Sequence, residues 1–203
     1  MAVRSPVRPR ARTRDPAHKR ALLIASAREL FARRGYAETT TADVARRAGV
    51  SEGIVFHHFG SKAGLLEAAA ADYGRGLSRA MFAGKSLHEK PSAEEMLRAA
   101  FAYVREHGAL ARLLGVSTDP SQLDAANRAS RAEIVTALAE AFAAWSRSGR
   151  IRAIEPELTA ELIFSMVESA LIECFVRGDG RREREILRET LACVEGALRK
   201  ANP

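Results

Sequence analysis

Apolar positions recur at helical spacing through most of the chain, which predicts an all-α protein. Asp15 is placed to cap a first helix that Pro16 opens and Gly35 ends, with Leu22, Leu23, Ala27, Leu30 and Phe31 as its buried face. Two short helices are expected at 40–49 and 51–59. A longer one, from 65 to about 82, turns Leu65, Leu66, Ala69, Tyr73, Leu77 and Met81 inward. Gly74 and Gly76 soften its middle, and a hinge there is one reading of them. Residues 84–91 read as a loop. Ser92-x-x-Glu95 is a capping box for a helix to about 106, with Met96, Ala99, Ala100, Tyr103 and Val104 on its apolar face. A short helical piece at 110–114 precedes a break at Asp119-Pro120. A long helix, 121 to about 147, then carries Leu123, Ile134, Leu138, Ala141, Phe142 and Trp145, and Gly149 terminates it. Pro156 opens a helix with a wide apolar surface, Gly178-Asp179-Gly180 turns the chain, and Ile186, Leu187, Leu191, Val194 and Leu198 line the last helix.

The informative stretch is 40–62. Thr40 is a good N-cap with Asp43 at the third helical position, a capping-box arrangement. Val44, Ala45 and Ala48 form a small apolar face. Gly49 ends the helix where a left-handed residue is needed, and Val50 packs the turn inward. Ser51 is placed to cap the next helix. A small residue (Ala45), a glycine four later and a branched apolar residue six after that (Val55) form a helix-turn-helix pattern, in which Ala45 lets the second helix cross closely. Val55 and Phe59 face the core. Glu52, Gly53, Ile54, Phe56 and His57 are left on or beside the outer face, and a merely solvated helix would carry Lys, Glu and Gln there. Gly53 lets a backbone approach, Ile54 suits a thymine methyl, and His57 and Lys62 are placed for phosphates.

Residues 20–66 resemble the DNA-binding domain of the TetR family of bacterial transcriptional regulators. The residues that carry the likeness are Ala25 to Phe31, Arg34-Gly35-Tyr36, Thr39-Thr40, Asp43-Val44-Ala45, Ala48-Gly49-Val50-Ser51, Phe56-His57-His58-Phe59, Ser61-Lys62 and Leu65-Leu66. The resemblance implies that Thr40, Phe56, His57 and Lys62 hold phosphates, and that Ser51, Glu52, Gly53 and Ile54 face bases. Two positions depart from the family: Phe56 stands where tyrosine is frequent, which removes a hydroxyl, and Ile54 where a small or hydroxyl residue is common.

Charge supports a polyanionic partner for one end only. Residues 1–64 hold 13 Lys/Arg against 5 Asp/Glu, and residues 65–203 hold 19 against 20. Residues 1–15, with five arginines, Pro6 and Pro9, read as a disordered basic arm. It is either a solubilising tail or an arm that follows the minor groove. The expected organisation is this arm, a helix-turn-helix domain at 16–64 and a regulatory and dimerisation domain at 65–203. Cys174 and Cys193 lie in apolar helical stretches and read as buried free thiols. No apolar run spans a membrane and no secretory signal is evident, so a cytoplasmic protein without membrane contact is expected. His57 and His58 diverge on a helix rather than chelate. No convergent nucleophile, acid or base, no metal site and no phosphate-cradling loop can be assembled, so no enzyme and no cofactor is expected.

The stretch 162–176 is apolar on more than one face, which points to a second subunit and a four-helix contact through residues of about 156–200. Glu168 and Glu173 within it read as an exposed flank, an interface salt bridge or a carboxylate that pairs with a ligand. The resemblance likewise implies a homodimer. It also implies a small-molecule effector in the second domain, for which Phe101, Tyr103, Phe142, Trp145, Phe164 and Met166 are candidate lining. The function expected is a sequence-specific transcriptional regulator on double-stranded operator DNA. Repression is the expected output, because a bound dimer obstructs polymerase. The alternative is an architectural DNA binder with a dry, fully packed second domain.

Overall fold

The computed structural model describes residues 15–82, 91–115 and 120–200, and the side chains of 115 and 120–123 are outside that description. The expected arm up to residue 14, the expected loop at 84–90, Asp119 and the core assignment of Leu123 therefore lie outside the described residues. The described part is helical: α1 (Pro16–Arg34), α2 (Thr41–Ala48), α3 (Glu52–Phe59), α4 (Lys62–Phe82), α5 (Ala93–Glu106), α6 (Gly108–Gly115), α7 (Pro120–Arg147), α8 (Pro156–Ile172) and α9 (Glu183–Leu198). A π-helical turn, Glu173–Arg177, continues α8.

Local chemistry sets most boundaries. Asp15 accepts a hydrogen bond from the Ala17 amide at 2.9 Å, and Pro16 follows it. Thr40 and Asp43 complete a capping box, as do Ser92 and Glu95. Gly49 takes φ +69°, and the Gly49 and Val50 amides return to Arg46 and Ala45 at 3.3 and 3.0 Å, closing α2 in a Schellman turn. Ser51 occupies the N-cap position of α3, but its side chain makes no capping hydrogen bond. α4 starts at Lys62, three residues before the apolar pattern begins, because Ser61 caps it through the Gly64 amide at 3.0 Å.

Two cores form. The N-terminal one joins Leu23, Ala27, Leu30 and Phe31 of α1 to Val44, Ala45 and Val55, and closes on Leu65, Leu66, Ala69, Ala70 and Tyr73 of α4. Leu110, Leu114 and Ala126 seat it on α6 and α7. The larger one gathers Leu77, Met81, Phe101, Leu138, Phe142, Trp145, Phe164 and Leu171 with residues of α9. Burying each such large side chain contributes roughly 1.5–3 kcal/mol. α4 runs through both cores, so the expected division after residue 64 falls inside a continuous helix.

Several expectations are corrected. Leu22 is 40% exposed, because its neighbours Leu23 and Ile24 turn to the core instead. Cys193 is exposed on the outer side of α9, whereas Cys174 is buried in the π-helical turn, where burial raises its thiol pKa. Gly74 and Gly76 are sites of close packing. A Cβ on Gly74 would overlap the Ser130 carbonyl oxygen of α7, and one on Gly76 would overlap the Tyr103 hydroxyl of α5. The first is a backbone approach of α7 to α4, and the second meets the tip of a side chain.

Candidate nucleic-acid interface and interior cavity

α2 and α3 are held against α1 by small and branched residues, which leaves one side of α3 outward. Val55 is fully buried, while Ser51, Glu52, Gly53, Phe56 and His57 are exposed. Phe56 is 49% exposed with no polar atom to justify it. A Cβ on Gly53 would meet nothing within 4 Å, so the fold does not require this glycine. Ile54 differs from expectation: it is half-buried and packs against the N-terminal core, so only part of it reaches the outer face. Phe59 and His58 are half-buried, and the His58 ring lies 6.0 Å from that of Phe59. Burial, helped by His57, Arg20 and Lys19, lowers the His58 pKa.

The remaining expected contacts have partners within the protein. Thr40 is exposed, but its hydroxyl donates to Asp43 Oδ2 at 2.8 Å and accepts from the Asp43 amide at 3.1 Å. The hydroxyl bond and a second one, from the Thr40 amide to Asp43 Oδ2 at 3.3 Å, lower the Asp43 pKa. Lys62 donates to the Ala37 carbonyl at 3.1 Å and lies 4.3 Å above the Tyr36 ring, which leaves two of its three N–H donors. Partial burial lowers its pKa. Thr41, absent from the expected set, donates to Glu52 and so ties the start of α2 to the start of α3. That link joins residues eleven apart and leaves no periodic trace in the sequence.

Behind this unit lies a cavity of about 1090 Å³ between α4, α5, α7, α8 and α9. Of the six expected lining residues, Phe142, Trp145 and Phe164 line it. Phe101 instead meets Phe175 edge-on at 5.8 Å, and Met166 packs partly buried against the C-terminal core. Tyr103 turns toward the N-terminal unit. Its hydroxyl accepts from Arg28 at 3.4 Å and donates to the Tyr73 carbonyl at 3.3 Å. Sequence reasoning missed the polar lining, Asn127 and Arg131 of α7 among it, because α7 was read for its apolar stripe alone. Arg131 reaches Glu161 through Nε at 3.1 Å, Ser165 at 2.9 Å and Glu168 at 3.2 Å, and sits 4.6 Å over Phe164. Among the described residues no cluster of His, Cys, Asp and Glu could hold a metal ion, and no helix is long and apolar enough to cross a membrane.

Residues 23–69, which contain α2 and α3, match the family model for bacterial regulatory proteins of the tetR family. Residues 23–69 thus carry the N-terminal domain of the TetR family. The HTH-type transcriptional regulator TtgR of Pseudomonas putida is 45% identical over 58 residues, 28% of this chain and 28% of that protein. BetI of Escherichia coli, also an HTH-type transcriptional regulator, is 42% identical over 83 residues, 40% of this chain and 42% of BetI. The chain thus matches about a quarter to two-fifths of these relatives' length. Solved structures extend the likeness in fold. A protein from Rhodococcus sp. described as TetR-family superposes with a TM-score of 0.71 at 21% identity, over 90% of this chain and 99% of that one. FadR of Bacillus subtilis, solved with stearoyl-CoA, gives 0.62 at 17% identity, over 90% and 99%. The TetR-family domain accounts for α1 to the first half of α4, and the all-helical remainder follows the same fold.

Proposed function

We propose that the protein is a sequence-specific DNA-binding transcriptional regulator, with α3 as the helix that enters the major groove. The observation that carries this reading is the outer face of α3, where an unneeded glycine, a bare phenylalanine and a histidine lie side by side. None of the three stabilises the helix, and all suit close approach to a duplex. Ser51, Glu52, Gly53 and Ile54 face base edges, and Phe56, His57, Lys62 and the start of α2 at Thr40 lie along the backbone. Thr40 contributes there chiefly by fixing α2, since its hydroxyl is engaged with Asp43.

Two copies associate through α8 and α9. Leu158 and Leu162, one helical turn apart, are 58% and 64% exposed, an apolar row that a second copy would cover. A dimer presents two recognition helices to half-sites about one DNA turn apart. The cavity holds a small-molecule effector that binds one spacing of those helices better than another, and repression is the output. An architectural DNA binder has no use for such a cavity. TtgR and BetI are named as transcriptional regulators, and FadR of Bacillus subtilis holds an amphipathic ligand in the same fold. Such a regulator works in the cytoplasm.

The test is fluorescence anisotropy of the protein on a duplex from upstream of its own gene, against a shuffled duplex, as salt is varied. A preference of ~10³ or more is expected for the native duplex. No binding to either duplex at low salt, from a folded protein, would remove the reading.

A further inference from the structure

The cavity has two kinds of polar group. Its charged rim, which includes Asp124, Arg128 and Lys200, is exposed. Of its ionisable acid and base side chains, only Arg131 and Glu168 are half-buried, both beside the apolar wall that Ile134, Phe164 and Val167 help to build. These two differ in what they have left to offer. Arg131 is already engaged at Nε, Nη1 and Nη2: Glu161 takes two of these donors, Ser165 shares one, and Glu168 takes the third. Its face is covered by Phe164. Among the described residues Glu168 receives one hydrogen bond, from Arg131 at 3.2 Å to Oε2. A carboxylate has about four acceptor positions, so most of its capacity is open toward the cavity.

The charge balance points the same way. Two carboxylates, Glu161 and Glu168, surround one guanidinium. An incoming anion would meet two like charges and an arginine with one N–H left, on Nη1. An incoming cation would meet that pair of carboxylates and the open lone pairs of Glu168, a half-exposed side chain at the cavity edge that can accept a charge-assisted hydrogen bond. Burial and the neighbouring Glu161 raise the Glu168 pKa, with Arg131 opposing, so the ionised carboxylate is under-compensated as it stands.

We propose that the cavity selects a small molecule with an apolar, aromatic-sized body and one protonated nitrogen, whose N–H donates to Glu168 while the body lies against Phe164, Phe142 and Trp145. This rests on the reading of the cavity as an effector site. Glu161 holds Arg131 in place and does not line the cavity, so it acts as a positioning residue.

The full-length protein offers its own reporter, because Trp145 is the chain's single tryptophan and lines the cavity. Three probes of matched shape would be titrated against its fluorescence: 4-butylbenzylammonium, 4-butylbenzyl alcohol and 4-butylbenzoate. The ammonium should bind about tenfold or more tighter than the alcohol, with the benzoate weakest. Glu168→Gln should bring the ammonium down to the alcohol's affinity and leave the alcohol unchanged, which also verifies that the variant is folded. Glu161→Gln should retain the preference. Benzoate binding as well as the ammonium, or equal loss of preference in both variants, would overturn the assignment to Glu168 while leaving the cavity a ligand site, provided the alcohol binds. If none of the three binds, the effector reading of the cavity falls with it. The anisotropy experiment on DNA remains independent of either result.

Discussion

Gly74 of α4 lies directly beneath Ser130 of α7: a Cβ at 74 would sit 3.1 Å from both the carbonyl carbon and the Cα of Ser130, and closer still to the carbonyl oxygen. The obstacle is backbone, which cannot rotate aside as a side chain can. α4 and α7 make the most extensive helix–helix contact in the described protein, and this glycine sets how near they come. Ser130 and Arg131 adjoin the cavity, so the same contact fixes one of its walls.

Gly74→Ala should therefore destabilise the protein, although alanine favours a helix by about 1 kcal/mol over glycine. Overpacking of this kind typically costs ~1–3 kcal/mol. Urea denaturation should show a lower midpoint than the wild type. A gain in stability, the outcome expected of a free hinge glycine, would refute the close-packing account.

Gly53 is the contrasting case. Space around it is open and its backbone is ordinary helix, so Gly53→Ala should leave stability unchanged or raise it by up to about 1 kcal/mol. DNA affinity should nevertheless fall by about tenfold, the loss of one close contact. Melting and anisotropy on one preparation would separate the two effects. Full affinity in a stabilised variant would mean that the α3 backbone does not approach the duplex at this point.

The capping box makes a pH prediction. Thr40 holds Asp43 below the usual carboxylate range, with Arg46 and Arg34 assisting. A carboxyl with a depressed folded-state pKa contributes stability above its unfolded value and loses it as pH falls through the folded one. The wild type should lose stability relative to Asp43→Asn as pH drops below about 4, the unfolded range for aspartate. Parallel acid-unfolding curves for the two would show that the box has no energetic role. Glu168 has the opposite sign, since its pKa is raised, and should not contribute to this acid loss.

Leu158 and Leu162 test the association surface. Both are largely exposed in a single chain, so Leu158→Glu with Leu162→Glu should leave the monomer folded while preventing a dimer. Light scattering should give half the wild-type mass, and operator affinity should fall steeply because two half-sites are no longer bound together. An unchanged mass would place the interface elsewhere.

Much of the N-terminal unit was legible in advance because its determinants are local. Thr40 and Asp43, Gly49, and the spacing of Ala45 and Val55 each act within a turn or two of the chain, so their residue types declare their roles. Helix boundaries in the larger domain followed for the same reason, from Ser92, Pro156 and Gly149. Residue type alone was a poor guide to the cavity. Phe101 and Met166 are as apolar as Phe142, yet they and Tyr103 pack elsewhere, because lining depends on which side of a helix faces the gap between its neighbours.

The sequence by itself determined the all-helical fold, the helix-turn-helix and the face of α3 left without a structural reason, since capping, helical period and residue size operate over a few residues. Tertiary structure alone decided that Gly74 is a contact, that Lys62 reaches back to Ala37, and that Arg131 meets Glu161 and Glu168 at the edge of an open cavity. These relationships join residues 25 to 56 positions apart. No periodicity encodes them, because they depend on the distance and rotation between packed helices.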